Sequence, residues 1–334
     1  MNLKSNIVFA ILVLALSAGA AHAQQPIVIK FSHVVAEDTP KGKGALKFKE
    51  LAEARTKGRV KVEVYPNSQL FKDGEEMQML QLGNVQMLAP SVSKFGPLGA
   101  REFEVFDLPY IFDDYKDLHN VTQGRIGQQL FKKLDSKGII GLAYWDNGFK
   151  EMSANKPLKT PADFRGLKMR IQSSKVLDGE MRALGATPQI MAFSEVYQAL
   201  QTGVVDGQEN TPSNMYTQKM DEVQKYTTLT NHGYIGYVVV VNKKFWEGLP
   251  ADIRGQLEKA MKESTEYANH ISAKENDEAL DAMKKNAKTT FIVPTAAEMA
   301  AMQKAMEPLY NDMASRVGKQ LIDDVRKTAQ GVTN

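Results

Sequence analysis

The run from Phe164 to Asn214 constrains this chain more than any other stretch. It opens FRGLKMRIQSSKV, a short strand that delivers Arg170 at its end, and continues MRALGATPQIMAFSEVYQALQTGVVDGQENTPSN. The second part reads helix, strand, helix, strand, with Asn210 ending the last strand. Gly185 follows one apolar run, Pro188 begins the next segment and Gly203 closes the helix after it. Ser194 occupies the expected N-cap position ahead of Val196, Tyr197 and Leu200 at helical spacing. In open α/β sheets, ligands bind beyond the carboxyl ends of strands. Arg170 and Asn210 occupy two such ends and are expected to face one crevice. The planar fork of arginine matches a carboxylate through two parallel bonds, and asparagine offers a donor and an acceptor without charge. The pair suits a small acidic molecule. The ordinary alternative for Arg170 is a surface ion pair.

Three segments carry a family resemblance. GLKMRIQSSKV, LGATPQIMAFSEVYQALQTGVVDGQEN and the later EVQKY and TNH look like the solute-binding proteins of TRAP transporters, and the likeness covers nearly the whole chain after residue 25. Within that family KFSHVVAEDTPKG resembles the binders of four-carbon dicarboxylates. The resemblance implies an α/β, two-lobed fold of the periplasmic-binding-protein type, with a long helix spanning both lobes and a ligand cleft between them. It implies a carrier that holds malate, succinate or fumarate and delivers it to TRAP membrane permease subunits for uptake driven by an ion gradient. It also implies that Arg170 and Asn210 grip a carboxylate and that Phe193 packs on the ligand. Many binders of bulkier sugar acids resemble this chain but carry arginine in place of Lys150. Sialic-acid binders carry glutamate in place of Ser91. A compact ammonium at Lys150 would neutralise a second carboxylate, and a hydroxyl at Ser91 removes repulsion toward it. His33 and Lys41, in the loop after the first strand, are further candidates for the far end of the ligand, and Trp145 and His232 are held in reserve as ligand-binding candidates.

Composition excludes several other functions. The 334 residues suffice for two domains, and the formal charge of +3 is too small and too evenly spread for a nucleic-acid partner. Cysteine is absent, which removes disulfide scaffolds, thiol catalysis and cysteine-based metal sites. The histidines of the mature chain show no i,i+4 pair for zinc, and His119 and His270 read as helix-surface residues. There is no G-x-S-x-G, H-E-x-x-H or P-loop pattern, so neither an enzyme, a metal nor a cofactor is expected. Residues 1–23 read as a signal peptide, with Lys4, an apolar run from Ile7 to Leu16 and the cleavage site Ala21-His22-Ala23. The expected location is the periplasm. Rival readings are another organic acid as ligand (a sugar, keto or aromatic acid), a ligand-presenting partner of a sensor kinase, or an enzyme of small acids.

The remaining chain supplies two lobes. Ile27 to Phe31 reads as a buried strand, Thr39-Pro40 as a helix start and Val60 to Val64 as a half-exposed strand. Asp73 reads as the cap of a helix from Gly74 to Leu82. Leu80-Gln81-Leu82-Gly83-Asn84-Val85-Gln86 echoes Leu200-Gln201-Thr202-Gly203-Val204-Val205-Asp206, and the same register sets Ser91 against Thr211, one residue beyond Asn210. Phe103 to Phe112 reads as a packed loop or short strand, and Asp117 to Leu134 as one helix. Trp145, Asn147 and Lys150 fall at an expected crossing between lobes. Tyr234 to Val241 reads as a strand returning to the first lobe, Pro250 opens a helix reaching about Asn286, and helices after Ala296 are expected to close the second lobe. The expected division is residues 24–147 with 236–275 for lobe I, and residues 148–235 with 276–330 for lobe II. Hinge motion follows from such crossings.

Overall fold

Two sheets carry the architecture of this computed structural model, which describes residues 25–331. The expected signal peptide lies outside the described residues. In lobe I the strands are β1 (Ile27–Ser32), β2 (Val60–Tyr65), β3 (Met87–Leu88) and β4 (Ile139–Phe149). Lobe II contributes β5 (Glu151–Ala154), β6 (Lys168–Ile171), β7 (Thr187–Ile190), β8 (Gly207–Asn210) and β9 (Tyr226–Thr228). The chain then returns as β10 (Tyr234–Asn242) and ends its strands with β11 (Thr290–Ile292). The first sheet runs β2-β1-β3-β10-β4 and the second β11-β9-β5-β8-β6-β7. β1 is parallel to β2 and β3, while β10 inserts antiparallel between β3 and β4. All nine residues of β10 are buried, as its unbroken β-branched run demands of a strand covered on both faces.

Each lobe covers both faces of its sheet. In lobe I, Phe31, Phe48 and Trp145 pack under the helices Pro40–Arg55 and Ala251–Asn286 on one face, and Phe95, Phe103 and Phe106 fill the other. Thr39 caps the first of these helices by accepting from the Gly42 amide, with Pro40 in its first turn. The glycines at 42 and 44 serve packing. A side chain at Gly44 would meet the Trp145 ring at 3.1 Å. The helix Ala251–Asn286 is 36 residues long and packs on both lobes, as expected. The echo is structural as well. Gly83 and Gly203 end their helices in the left-handed region at φ 81° and 74°, and each hands the chain to a strand beside the inter-lobe gap.

Several expectations are corrected. Asp117 to Leu134 is two helices, Tyr115–Thr122 and Arg125–Leu134, because Gly124 breaks the backbone between them. Residues Arg101–Asp107 form a 3₁₀ helix, which lets Phe103, Val105 and Phe106 all be buried. Asp73 does not cap its own helix, Glu76–Leu82, and Ser194 lies inside the helix Phe193–Thr202, whose N-cap is Ala192. The largest correction concerns the carboxyl terminus. The helix Ala296–Met306 packs in lobe II through Met302 and Met306, but Val317, Ile322, Val325 and Ala329 join the lobe I core beside Leu118 and Val121. The amphipathic stripe that returns them was legible as a helix, but its destination was not, because both lobes present apolar faces.

Candidate ligand-binding site

A small gap lies between the lobes, at the carboxyl ends of the strands that the sequence singles out. Lobe II supplies Arg170 and Gln172 from β6 and its exit, Phe193 from the start of its helix, and Asn210 and Asn214 from β8 and the helix Pro212–Thr217 after it. Lobe I supplies Lys41, Asp73, Ser91 and Lys94, and β10 adds Ile235 and Tyr237. β6 and β8 are parallel neighbours with Arg170 opposite Gln208, so Arg170 and Asn210 leave the same sheet edge side by side.

Arg170 is buried, with 2% of its surface exposed. Its Nε and Nη2 both donate to the Met191 carbonyl, at 3.1 and 2.9 Å, which fixes the plane of the guanidinium at the cavity wall. Phe193 packs with its ring centroid 5.9 Å from the guanidinium carbon. The Asn210 carbonyl oxygen already accepts from the Thr211 amide and from Asn214 Nδ2, at 3.0 and 2.9 Å. Its NH2 is therefore the group it can offer a ligand, which suits an anion. Ser91 donates to Gln172 Oε1 across the gap at 2.5 Å, and Val34 and Val35 of lobe I pack in one cluster with Phe193 and Val196 of lobe II.

The lobe I wall is built from charge. Lys94 pairs with Asp73 and Glu76. Burial disfavours its charge, but the two carboxylates outweigh that and hold Lys94 above its ordinary value. Burial likewise works against the Asp73 carboxylate, yet Lys94 and then Arg170 bring it down to about 2. Glu76 is pushed up by burial. Lys41 donates to the Ala89 carbonyl at 3.0 Å and lies over the Tyr237 ring at 3.7 Å. No carboxylate touches it among the described residues. Burial, reinforced by the charge of Lys94, pushes Lys41 down to about 7.

Of the residues expected at the site, Arg170, Asn210, Ser91, Phe193 and Lys41 line this cavity. His33 does not; its ring is buried, and burial, reinforced by the charge of Lys41, holds it neutral with a value of about 3. Trp145 belongs to the lobe I core, where its Nε1 donates to Thr265 Oγ1 at 2.8 Å. Lys150 lies at the crossing from β4 to β5, as expected, but its ammonium pairs with Glu209, and neither of the two lines the cavity. Glu180, Asp107 and His232 surround that pair. His119 is half-buried and bonds Asp146 at 2.6 Å, so it is more than a surface residue.

The residues missed are Asp73, Gln172, Lys94, Asn214 and Tyr237. Gln172 had a signal, since it follows Arg170 by two and shares its strand face. Asn214 follows Asn210 by four at a Pro-initiated helix. Lys94 and Asp73 had none, because their pairing joins residues 21 apart in sequence.

A pair of α/β lobes closed around a buried cluster of cations defines a protein that captures a small anion. The chain belongs to the bacterial extracellular solute-binding proteins of family 7 (DctP), whose family model matches residues 31–316. This is a family of binding proteins, components of TRAP transport, and not of enzymes. The chain is 67% identical over 313 residues to the C4-dicarboxylate-binding periplasmic protein DctP of Rhodobacter capsulatus, covering 94% of each chain. It resembles the crystal structure of a TRAP periplasmic solute-binding protein from Shewanella oneidensis with bound succinate, at 44% identity and a TM-score of 0.89, over 91% of this chain and 99% of that one. A TRAP solute-binding protein from Pseudomonas aeruginosa PAO1 with bound L-malate matches at 44% identity and a TM-score of 0.84, over 86% of this chain and 100% of that one. Among the described residues no helix is long and apolar enough to cross a membrane, and no cluster of acidic and histidine side chains could hold a metal.

Proposed function

We propose that this chain captures a C4-dicarboxylate in the inter-lobe cavity and delivers it to TRAP membrane permease subunits. The observation that carries the reading is the charge of one small cavity. Lys94 is already matched by Asp73 and Glu76, whereas Lys41 on one lobe and Arg170 on the other form no ion pair among the described residues, leaving two positive charges for a dianion. Arg170, with the amide of Asn210, takes one carboxylate. Lys41, which has no carboxylate of its own, takes the other. Phe193 covers the carbon chain, and the Ser91–Gln172 pair limits its bulk. The succinate- and L-malate-bound relatives support this reading. So does the identity to the Rhodobacter protein. On the same reading residues 1–23 direct export and are removed, and the mature protein works in the periplasm.

The test is a thermal-shift and calorimetric panel of succinate, L-malate and fumarate beside butyrate, galactonate and orotate. The dicarboxylates should raise Tm and bind one per chain, and butyrate should bind at least tenfold more weakly. Tighter binding of a sugar acid or a monocarboxylate would overturn the ligand. Deleting the neighbouring permease gene should stop uptake; undiminished uptake would overturn the delivery role.

Lys41 adds a pH dependence. Its value of about 7 in the ligand-free protein means that it is charged below that pH. A second carboxylate beside it favours the charged form, so above about pH 7 binding must take up a proton, and affinity should fall by up to about tenfold per pH unit. Calorimetry in buffers of different ionisation heat should show that uptake. Lys41→Met should remove both the slope and the proton uptake.

A further inference from the structure

We propose that Lys72 and Asp73 of lobe I form a latch that caps the lobe II helix Phe193–Thr202 from outside, so that closing the cleft and completing this helix are one event. The first amides of a helix have no partner within it. Here the N-cap is Ala192, whose side chain accepts nothing, although its backbone has the extended geometry of a cap at φ −61° and ψ 144°. The missing acceptor comes from residue 73. The Phe193 amide donates to Asp73 Oδ2 at 2.7 Å, across a sequence separation of 120 and across the gap between lobes. The adjacent residue does the same for charge: Lys72 Nζ pairs at 2.8 Å with Glu195, in the first turn of the helix.

Asp73 is also a wall of the cavity and pairs with Lys94 there. One carboxylate thus bonds the cation cluster of lobe I and the helix start of lobe II. When the lobes part, Asp73 keeps Lys94 but loses Phe193, and the Phe193 amide loses its acceptor. The capping interaction belongs to the closed form alone, so it biases the open–closed balance whether or not a ligand is present. Lys72 and Glu195 are about half exposed and do not line the cavity, so they influence closure without touching the ligand. Asp73 therefore acts as a positioning residue, and the latch explains why a pocket for anions contains a carboxylate.

The experiment measures lobe separation in the full mature chain, using a pair of spin labels or fluorophores, one on each lobe. Asp73→Ala should lower the closed-to-open ratio of the ligand-free protein by roughly 3- to 30-fold, the range of a lost cap. Backbone exchange at Phe193 should accelerate in step. Lys72→Glu, which sets like charges against each other, should open the cleft by roughly two- to fivefold and weaken succinate by the same factor, and adding Glu195→Lys should restore both. The inference fails if Asp73→Ala closes as the parent does, or if the charge reversal is not rescued by its partner. The affinity part rests on the dicarboxylate reading. If succinate does not bind but ligand-free closure still follows these variants, the latch stands and only that reading falls.

Discussion

Arg170→Ala should abolish measurable dicarboxylate binding while leaving the fold intact. The guanidinium is buried and already oriented by the Met191 carbonyl, so a ligand carboxylate meets a donor that needs no rearrangement. Removing one partner of such a buried charged pair costs ~3–5 kcal/mol, or roughly 10²- to 10⁴-fold in affinity. Titration with succinate by calorimetry checks this, with circular dichroism to confirm the fold. Arg170→Lys should recover little, because a point charge cannot reproduce the fork held against Met191. Binding within a few-fold of the parent would remove Arg170 from the site.

Lys150→Met should act on stability and spare ligand selectivity. By sequence Lys150 is expected to meet a second ligand carboxylate, but its ammonium is enclosed by Glu209, Glu180 and Asp107. Burial opposes the charge of Lys150, and these carboxylates outweigh it and raise the group above its ordinary value. Burial alone would push Glu209 up, yet Lys150 outweighs it and holds Glu209 down. Taking the cation away leaves buried carboxylates uncompensated, at a cost of ~3–5 kcal/mol. Those carboxylates can then stay buried only as acids, with folded values above their unfolded ones. Stability contributed by a raised acid is present at low pH and is lost as pH rises through the folded value. Glu180, already pushed up to about 8 by burial, shows the direction. The Lys150→Met protein should therefore lose most stability toward alkaline pH, measured by denaturant unfolding at several pH values. A variant as stable as the parent, with a loss confined to dicarboxylates, would return Lys150 to the ligand.

The legibility of this chain divides by range. Strand ends and helix stops were readable because they are set by local chemistry. Gly203 and Gly83 terminate helices at positive φ, Thr39-Pro40 starts one, and Pro250 opens the long helix that ends at Asn286. Arg170 and Asn210 followed from those strand ends together with the family resemblance. The partners of charged side chains were not readable. Lys150 and Glu209, Asp73 and Phe193, and Lys94 and Glu76 all meet through folding of distant segments. Asp73 illustrates the limit. An aspartate ahead of an apolar helical run predicts a cap for that helix, and it caps a different one in the other lobe. Trp145 illustrates another. A tryptophan beside a crossing suggests ligand contact, but the opening left by Gly44 places it in the core.

The return of the carboxyl-terminal helix to lobe I has a mechanical consequence. After the helix Ala296–Met306 on lobe II, the chain comes back, ties Arg316 to Glu104 and seals with Val325 and Ala329 against the first lobe. The second lobe is therefore strung between two anchors on the first, like a door with a strap as well as hinges. Its travel is bounded by the reach of a short segment around Pro308, so a bending swing fits this connectivity and free tumbling of the lobes does not.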